Sequence, residues 1–163
     1  MQTKNFLIPV ILSLVFISCK KENNSAVNSG DGNFQLDTIQ YNITSTERTT
    51  TDNYFVFSGS DLASPSHTMQ VFFSAIPTAS NKFEVVNFQQ DVVLDAYQVG
   101  IRVNIPSNGI HSSTGIASNL TWLPCDKADV TVNNGKIKIV IPPMTTAIPY
   151  VDSSMLHGMI EEN

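Results

Sequence analysis

Two cysteines, three histidines and a few spaced carboxylates are the residues of this 163-residue chain whose types can carry chemistry. Cys19 closes an apolar run over residues 6–17 that is broken only by Pro9 and Ser13, with Lys4 ahead of it and small Ser18 directly before it. A charged start, a short apolar stretch and a small residue before the cut are the parts of a secretory leader, and the run is well short of the roughly 20 residues that span a bilayer. Cleavage after Ser18 would make Cys19 the first residue. Its thiol can then be alkylated by lipid and its freed amine acylated.

Cys125, in "WLPCDKAD", has no partner once Cys19 is lipidated, and a catalytic thiolate needs a neighbouring cation or His to lower its pKa. His67, His111 and His157 lie far apart and show no spacing that puts two ligands on one element. Asp126 and Asp129 flank Lys127 as candidate oxygen ligands for Ca²⁺, but solvated loop charge explains them, and Asp91 with Asp95 would be an acid/base pair only at a separation that sequence does not give. No G-x-S-x-G elbow or phosphate-cradling glycine loop is present. These residues imply no catalytic site, no metal and no cofactor, and the expectation is a protein that is not an enzyme. For binding, Trp122 and Tyr150 stand near prolines in expected loops, where a flat face with a polar handle can meet a glycan or a protein partner, while Tyr97 falls on the apolar face of a strand and is expected in the core.

The surroundings of these residues are polar without being charged. Only 14% of the chain is Asp, Glu, Lys or Arg, against 42% hydrophobic. That balance suits half-buried strands better than amphipathic helices. Loss of Lys4 with the leader takes the formal charge from −5 to −6, and the sole basic pair is Lys20 and Lys21. Nucleic acid is thereby excluded as a partner, because its recognition rests on phosphate neutralisation. From residue 20 to 33 the aliphatic side chains are one Ala and one Val, too little to offset ordering entropy. The expected organisation is a signal peptide at 1–18, the lipidated cysteine and a tether at 19–33, and one folded domain at 34–163.

Alternation of apolar and polar residues governs the rest. "FQLDTIQYNI" changes phase at Asp37 and Thr38, which predicts a bulge or break there. "NYFVFSG", "TMQVFFSAI" and "KFEVVNF" read as strands, as does "AYQVGIRVNI", closed by Pro106. In "DVTVNNGKIKIVI", a type I′ turn at Asn134 and Gly135 sets Val132 opposite Ile137 and Val130 opposite Ile139, with Pro142 and Pro143 ending the hairpin. "SSMLHGMIEE" supplies a last strand, and the nearest helical candidate, "QQDVVLDAY", is short. About eight short strands predict a single antiparallel β-sandwich, with a small calycin-like β-barrel as the alternative.

Several segments carry a resemblance. "VFISC" is similar to a bacterial lipobox, with Phe16 where Leu or Val is usual, and "CKKE" resembles the start of Bacteroidetes lipoproteins, in which charges after the cysteine act as a surface-export signal. "IPTASNKFEVV", "ADVTVNNGKIKIVIPPM" and "MLHGMIEEN" look like segments of small lipoproteins of the same bacteria, whose last third is a glycine-turn hairpin followed by a Leu-x-Gly-x strand. Asp37, Thr38 and Ile39 resemble their short O-glycosylation acceptor, which would make Thr38 the modified residue. The resemblance implies an all-β fold and an outer-membrane lipoprotein, periplasmic or surface-exposed, held by its lipid, and it transfers no site residues. The expected function is a binding or structural accessory of the cell envelope. The alternative is a carrier of a small apolar ligand inside a barrel.

Overall fold

Short runs of Val, Ile and Phe separated by Gly, Pro and Asn turns favour strands that pair with their neighbours, and the computed structural model consists of eleven of them. It describes residues 32–61, 63–88, 92–113, 127–147 and 153–162. The strands are β1 (Gly32–Leu36), β2 (Ile39–Asn42), β3 (Ser45–Thr50), β4 (Phe55–Ser60), β5 (Thr68–Phe73), β6 (Asn81–Val85), β7 (Gln98–Ile105), β8 (Gly109–Ser113), β9 (Lys127–Asn133), β10 (Lys136–Ala147) and β11 (Ser153–Glu161). No helix occurs among the described residues, so the described part of the helical candidate, Val92 to Tyr97, is irregular chain that ends in a turn.

All eleven strands belong to one sheet, in the order β2-β1-β11-β10-β9-β6-β7-β5-β4-β3. β8 pairs with both β7 and β10, so β7, β8, β10, β9 and β6 close a five-stranded ring from which two arms extend. The arms face each other. A methyl group on Gly59 of β4 would lie 2.7 Å from Ile43 Cδ1 and 3.0 Å from Ile160 Cγ2, so the arms meet at a position that only glycine fits. The architecture is all-β: a closed five-stranded barrel whose two arms of outer strands pack face to face in sandwich fashion. Pairing is antiparallel throughout except between β6 and β7.

Turn chemistry sets the registers. Asn134 (φ 51°) and Gly135 (φ 76°) form the two-residue turn expected of them, and Val132 faces Ile137 while Val130 faces Ile139. The phase change at Asp37 and Thr38 is a second hairpin turn rather than a bulge, since Leu36 pairs with Ile39 and Asp37 takes a left-handed φ of 54°. A short polar side chain tolerates that conformation, which is why Asp can stand where glycine is usual.

Pro142 and Pro143 do not end their strand. Ile141 pairs with Gly158 and Met144 with Leu156, so β10 holds one residue more than β11 at this point and the prolines form a bulge. A bulge needs no donor from the prolines and bends the strand, and beyond it β10 turns to pair Thr146 with Ser113 of β8. Both Ile141 and Met144 remain buried across it.

The main core is lined by inward residues of both arms, among them Phe34, Phe57, Phe73, Ile101, Ile139 and Leu156, all essentially inaccessible. A smaller cluster covers the outer face of β4, β5 and β7. There the chain between β6 and β7 folds back and lays Phe88 against Phe72 (ring centroids 4.4 Å apart) and directly over Gly100, where a side chain would overlap the Phe88 ring. Tyr54 contacts both rings edge-on and donates its hydroxyl to the Val92 carbonyl. The Arg102 guanidinium lies 5.2 Å from the Phe72 centroid and 5.4 Å from that of Phe88, a cation held on a double aromatic platform.

Tyr97 is a correction to the sequence reading. It sits one residue before β7, where its carbonyl accepts the Glu84 N–H of β6 and its ring meets Phe83 from outside, 65% exposed.

An ionic clamp ties the arms together beside the Asn134 turn. Arg48 of β3 donates Nε to Glu162 Oε1 (2.6 Å), pairs through Nη2 with Glu162 Oε2, and donates to the Gly135 carbonyl (2.5 Å). Glu162 also accepts the Ile137 N–H at 2.8 Å. The hydrogen bond from Arg48 holds the Glu162 carboxyl below the ordinary carboxylate range against the upward push of burial, aided by the Ile137 N–H and by the charges of Arg48 and Lys136. A carboxyl lowered on folding stabilises fully above its unfolded pKa, and that contribution disappears as pH falls through the folded value. Glu162→Gln is expected to cost about 1 kcal/mol at pH 7, a modest figure because Arg48 is partly solvent-screened. The urea midpoints of wild type and variant should differ by a constant amount from pH 6 to 8 and converge below about pH 4. A gap that persists in strong acid would refute the clamp.

Candidate functional site

At the end of the sandwich away from the Asn134 turn, the loop from β4 to β5 brings a carboxylate and an imidazole together. Asp61 immediately follows β4 and His67 immediately precedes β5, so strand pairing places them side by side. Asp61 Oδ1 accepts the N–H of Ala63 (3.1 Å) and of His67 (2.9 Å), and Oδ2 lies 2.6 Å from His67 Nδ1. Burial alone would raise the Asp61 carboxyl, but these hydrogen bonds outweigh it and keep the group below its ordinary value. An ionised Asp61 requires the proton on Nδ1. In a neutral imidazole the lone pair is then on Nε2, the arrangement that orients the ring toward an outside group.

Tyr41 completes the cluster. Its ring is 4.6 Å from that of His67 and is stacked on Phe34 at 4.9 Å, so an aromatic column runs from the core to the partly exposed imidazole. Burial first, and the Asp61 charge second, push the Tyr41 hydroxyl above its usual pKa and keep it neutral. β2 supplies Tyr41 from the opposite arm, and Ile39 stands exposed beside it on the same face. Asp61, His67 and Tyr41 therefore form a compact group with a donor, an acceptor and an aromatic face. Among the described residues no group of three or more His, Cys, Asp or Glu could hold a metal ion.

Thr38 occupies the apex of the β1–β2 turn and is exposed. The turn is fixed beneath it, since Asp37 N–H donates to the Met155 carbonyl (2.7 Å) and Asp37 Oδ1 accepts the Met155 N–H (2.8 Å). Cys19, Cys125, Trp122 and Tyr150 lie outside the described residues, as do Asp91 and Asp126. Asp95 is exposed, and Asp129 pairs with Lys82 across β6 and β9. Tyr54 serves packing on the outer face.

The three histidines are kept apart by the sheet. His157 lies on the outer face of β11 opposite Gln35. His111, opposite Val103 on β8, is 1% exposed, and neither ring nitrogen has a hydrogen-bond partner. Sequence reasoning passed over the Asp61 and His67 pair because six residues separate them in a loop with no periodicity. The available signal was Asp61 followed at that distance by His67, with Pro65 turning the chain between them.

No protein-family profile, no curated protein and no solved structure matches the chain.

His111 generates a prediction. A buried polar group without a partner costs free energy, and replacing it by an apolar side chain of similar volume removes that cost. His111→Leu is expected to leave the urea midpoint unchanged or to raise it. A loss of more than about 2 kcal/mol would mean that the imidazole has a stabilising partner.

Proposed function

We propose that this protein is a lipid-anchored component of the outer membrane that acts as a non-enzymatic binding or structural accessory. The observation that carries the reading is the order of residues ahead of the fold: an apolar run, small Ser18, Cys19, and twelve residues of polar tether before β1 opens at Gly32. Multiple lipid chains on Cys19 would make attachment stable, since each buried methylene contributes about 0.8 kcal/mol and one chain anchors only marginally.

The partner expected is a glycan or a protein that meets Tyr41 and His67, and Thr38 at its exposed apex is the residue available for an O-glycan. An accessory is favoured over a carrier because the inward positions of the ring are filled by Phe83, Val99, Ile101, Val130, Ile137 and Ile139.

Radiolabelled palmitate in the native host tests the anchor. Wild type is expected to take up label and Cys19→Ala to lose it, with protease on intact cells reading which side of the membrane the domain faces. Intact mass of the same purified protein should fall by a glycan in Thr38→Ala. An unlabelled wild type would overturn the proposal and leave a secreted β-domain.

A further inference from the structure

We infer that the outer face of β3, β4, β5, β7 and β8 is a glycan-binding ledge, on which Arg102 takes the carboxylate of an acidic sugar and neighbouring amide and hydroxyl groups take the sugar hydroxyls. The surface is separate from the His67 loop, and the inference does not depend on the anchor at Cys19. Register builds the ledge. Glu47 is opposite Ser58, Ser58 opposite Gln70, Gln70 opposite Arg102 and Arg102 opposite Ser112, so five side chains stand in one row across five strands. Their strand neighbours Phe57, Val71 and Ile101 are buried in the core, so the row faces outward. With strands about 4.8 Å apart it runs for roughly 19 Å, a length that suits several linked sugars better than a single ion. On one side the next row carries Ser60, Thr68 and Asn104. On the other, the chain between β6 and β7 rises as a wall, with Phe88 packed over Gly100.

The chemistry of this face differs from that outside β6, β9, β10 and β11. There the charged side chains are matched, Lys82 with Asp129 and Lys138 with Glu161. Here Ser58, Gln70 and Asn104 make no side-chain hydrogen bond among the described residues, and Ser112 is 8% exposed without one. Arg102 is held at the foot of the wall against the Phe72 and Phe88 rings, its Nε buried and unpartnered. Its charge is unmatched. Glu47 is three strands away, about 14 Å, which exceeds the Debye length of roughly 8 Å at physiological salt. Glu84 stands beside Gln98, four residues back along β7. A guanidinium fixed in this way suits a carboxylate, which it can grip with two parallel hydrogen bonds. Amides and hydroxyls both donate and accept, as sugar hydroxyls do. A polyanion is disfavoured, since the row holds one cation and the chain carries a formal charge of −5. A protein partner is disfavoured too, because the core of such an interface is apolar and Ile110, at the corner, is the sole exposed large hydrophobic residue described on these strands. The occupant that fits is a glycan bearing one acidic sugar.

The test uses the full chain purified from its host, with a C-terminal biotin tag clustered on fluorescent streptavidin so that weak contacts add up. It is passed over printed sialyllactose, digalacturonate and a glucuronate-terminated disaccharide, each beside its methyl ester, with lactose as the neutral control. At least one acid is expected to bind tenfold or more above its ester and above lactose. Arg102→Gln should lower that signal at least tenfold, Arg102→Lys should restore only part of it because the fork is lost, and Gln70→Ala should lower it several-fold. Lys82→Gln, outside β6, should leave it unchanged. If Arg102→Gln shows no urea transition, Gln70→Ala and the ester comparison decide. Equal binding of acid and ester, or binding of none of the acids, would overturn the ledge. Loss of the signal in His67→Ala with its retention in Arg102→Gln would also overturn it, and would leave the reading of the His67 loop standing.

Discussion

The bulge at Pro142 and Pro143 is the constraint on which the architecture depends. Up to Ile141, β10 has β9 on one side and β11 on the other. After the extra residue it keeps β11 but exchanges β9 for β8. That exchange closes the ring, because β8 is held to β7 by its own hairpin. Two prolines suit the place, as neither can donate a ladder hydrogen bond and the bulge leaves such positions unpaired. A regular strand here would carry its pairing with β9 straight on, and the two sheets would have no joint through β8. Since one inserted residue also shifts the facing of every later side chain, the bulge decides that Met144 and Thr146 point inward.

Closing the ring creates a second demand, on the outer face of β5 and β7. Val56 and Phe72 point away from the main core and still need cover. The return from β6 to β7 supplies it, and Gly100 is the condition for its fit, since Phe88 occupies the volume a side chain would take. The platform formed by Phe72 and Phe88 also accounts for Arg102, a cation among apolar side chains whose Nε has no hydrogen-bond partner. Ring faces carry partial negative charge and offset part of the desolvation that this position imposes. Burial on both faces of these strands explains their near-continuous apolar runs, "FVF" in β4 and "VFF" in β5, where simple alternation breaks down.

Much of the fold was legible where local rules and tertiary demands agree. Asn134 and Gly135 show this best, because turn type, register and facing all follow from two residues and their flanks. The all-β class follows from the same patterning. β3, "STERTT", and β8, "GIHSS", were not legible, since an edge strand and a short bridging strand need few apolar residues. The proline bulge was misread as a stop for a related reason: only the presence of β8 and β11 on either side makes continuation favourable. Tyr97 was assigned to the core on phase alone, and phase holds only while the residue is inside the strand. Asp61 and His67 were invisible as a pair because loop contacts depend on where two strand ends arrive, and no spacing rule encodes that.

Two carboxylates in the fold are used on opposite principles. Beside the Asn134 turn, the ion pair of Arg48 and Glu162 crosses between the arms and its carboxylate is spent on Arg48 and the Ile137 N–H. Little hydrogen-bonding capacity remains there for a ligand. At the β4–β5 loop, Asp61 is likewise spent, on its own loop and on His67, but the imidazole it orients keeps a nitrogen that the loop does not use. The same kind of carboxylate thus serves closure in one place and orientation in the other. An aromatic column ties the second arrangement to the core through Phe34, so His67 is held by packing as well as by charge. His67 is therefore the rigid polar group that the proposed partner would meet.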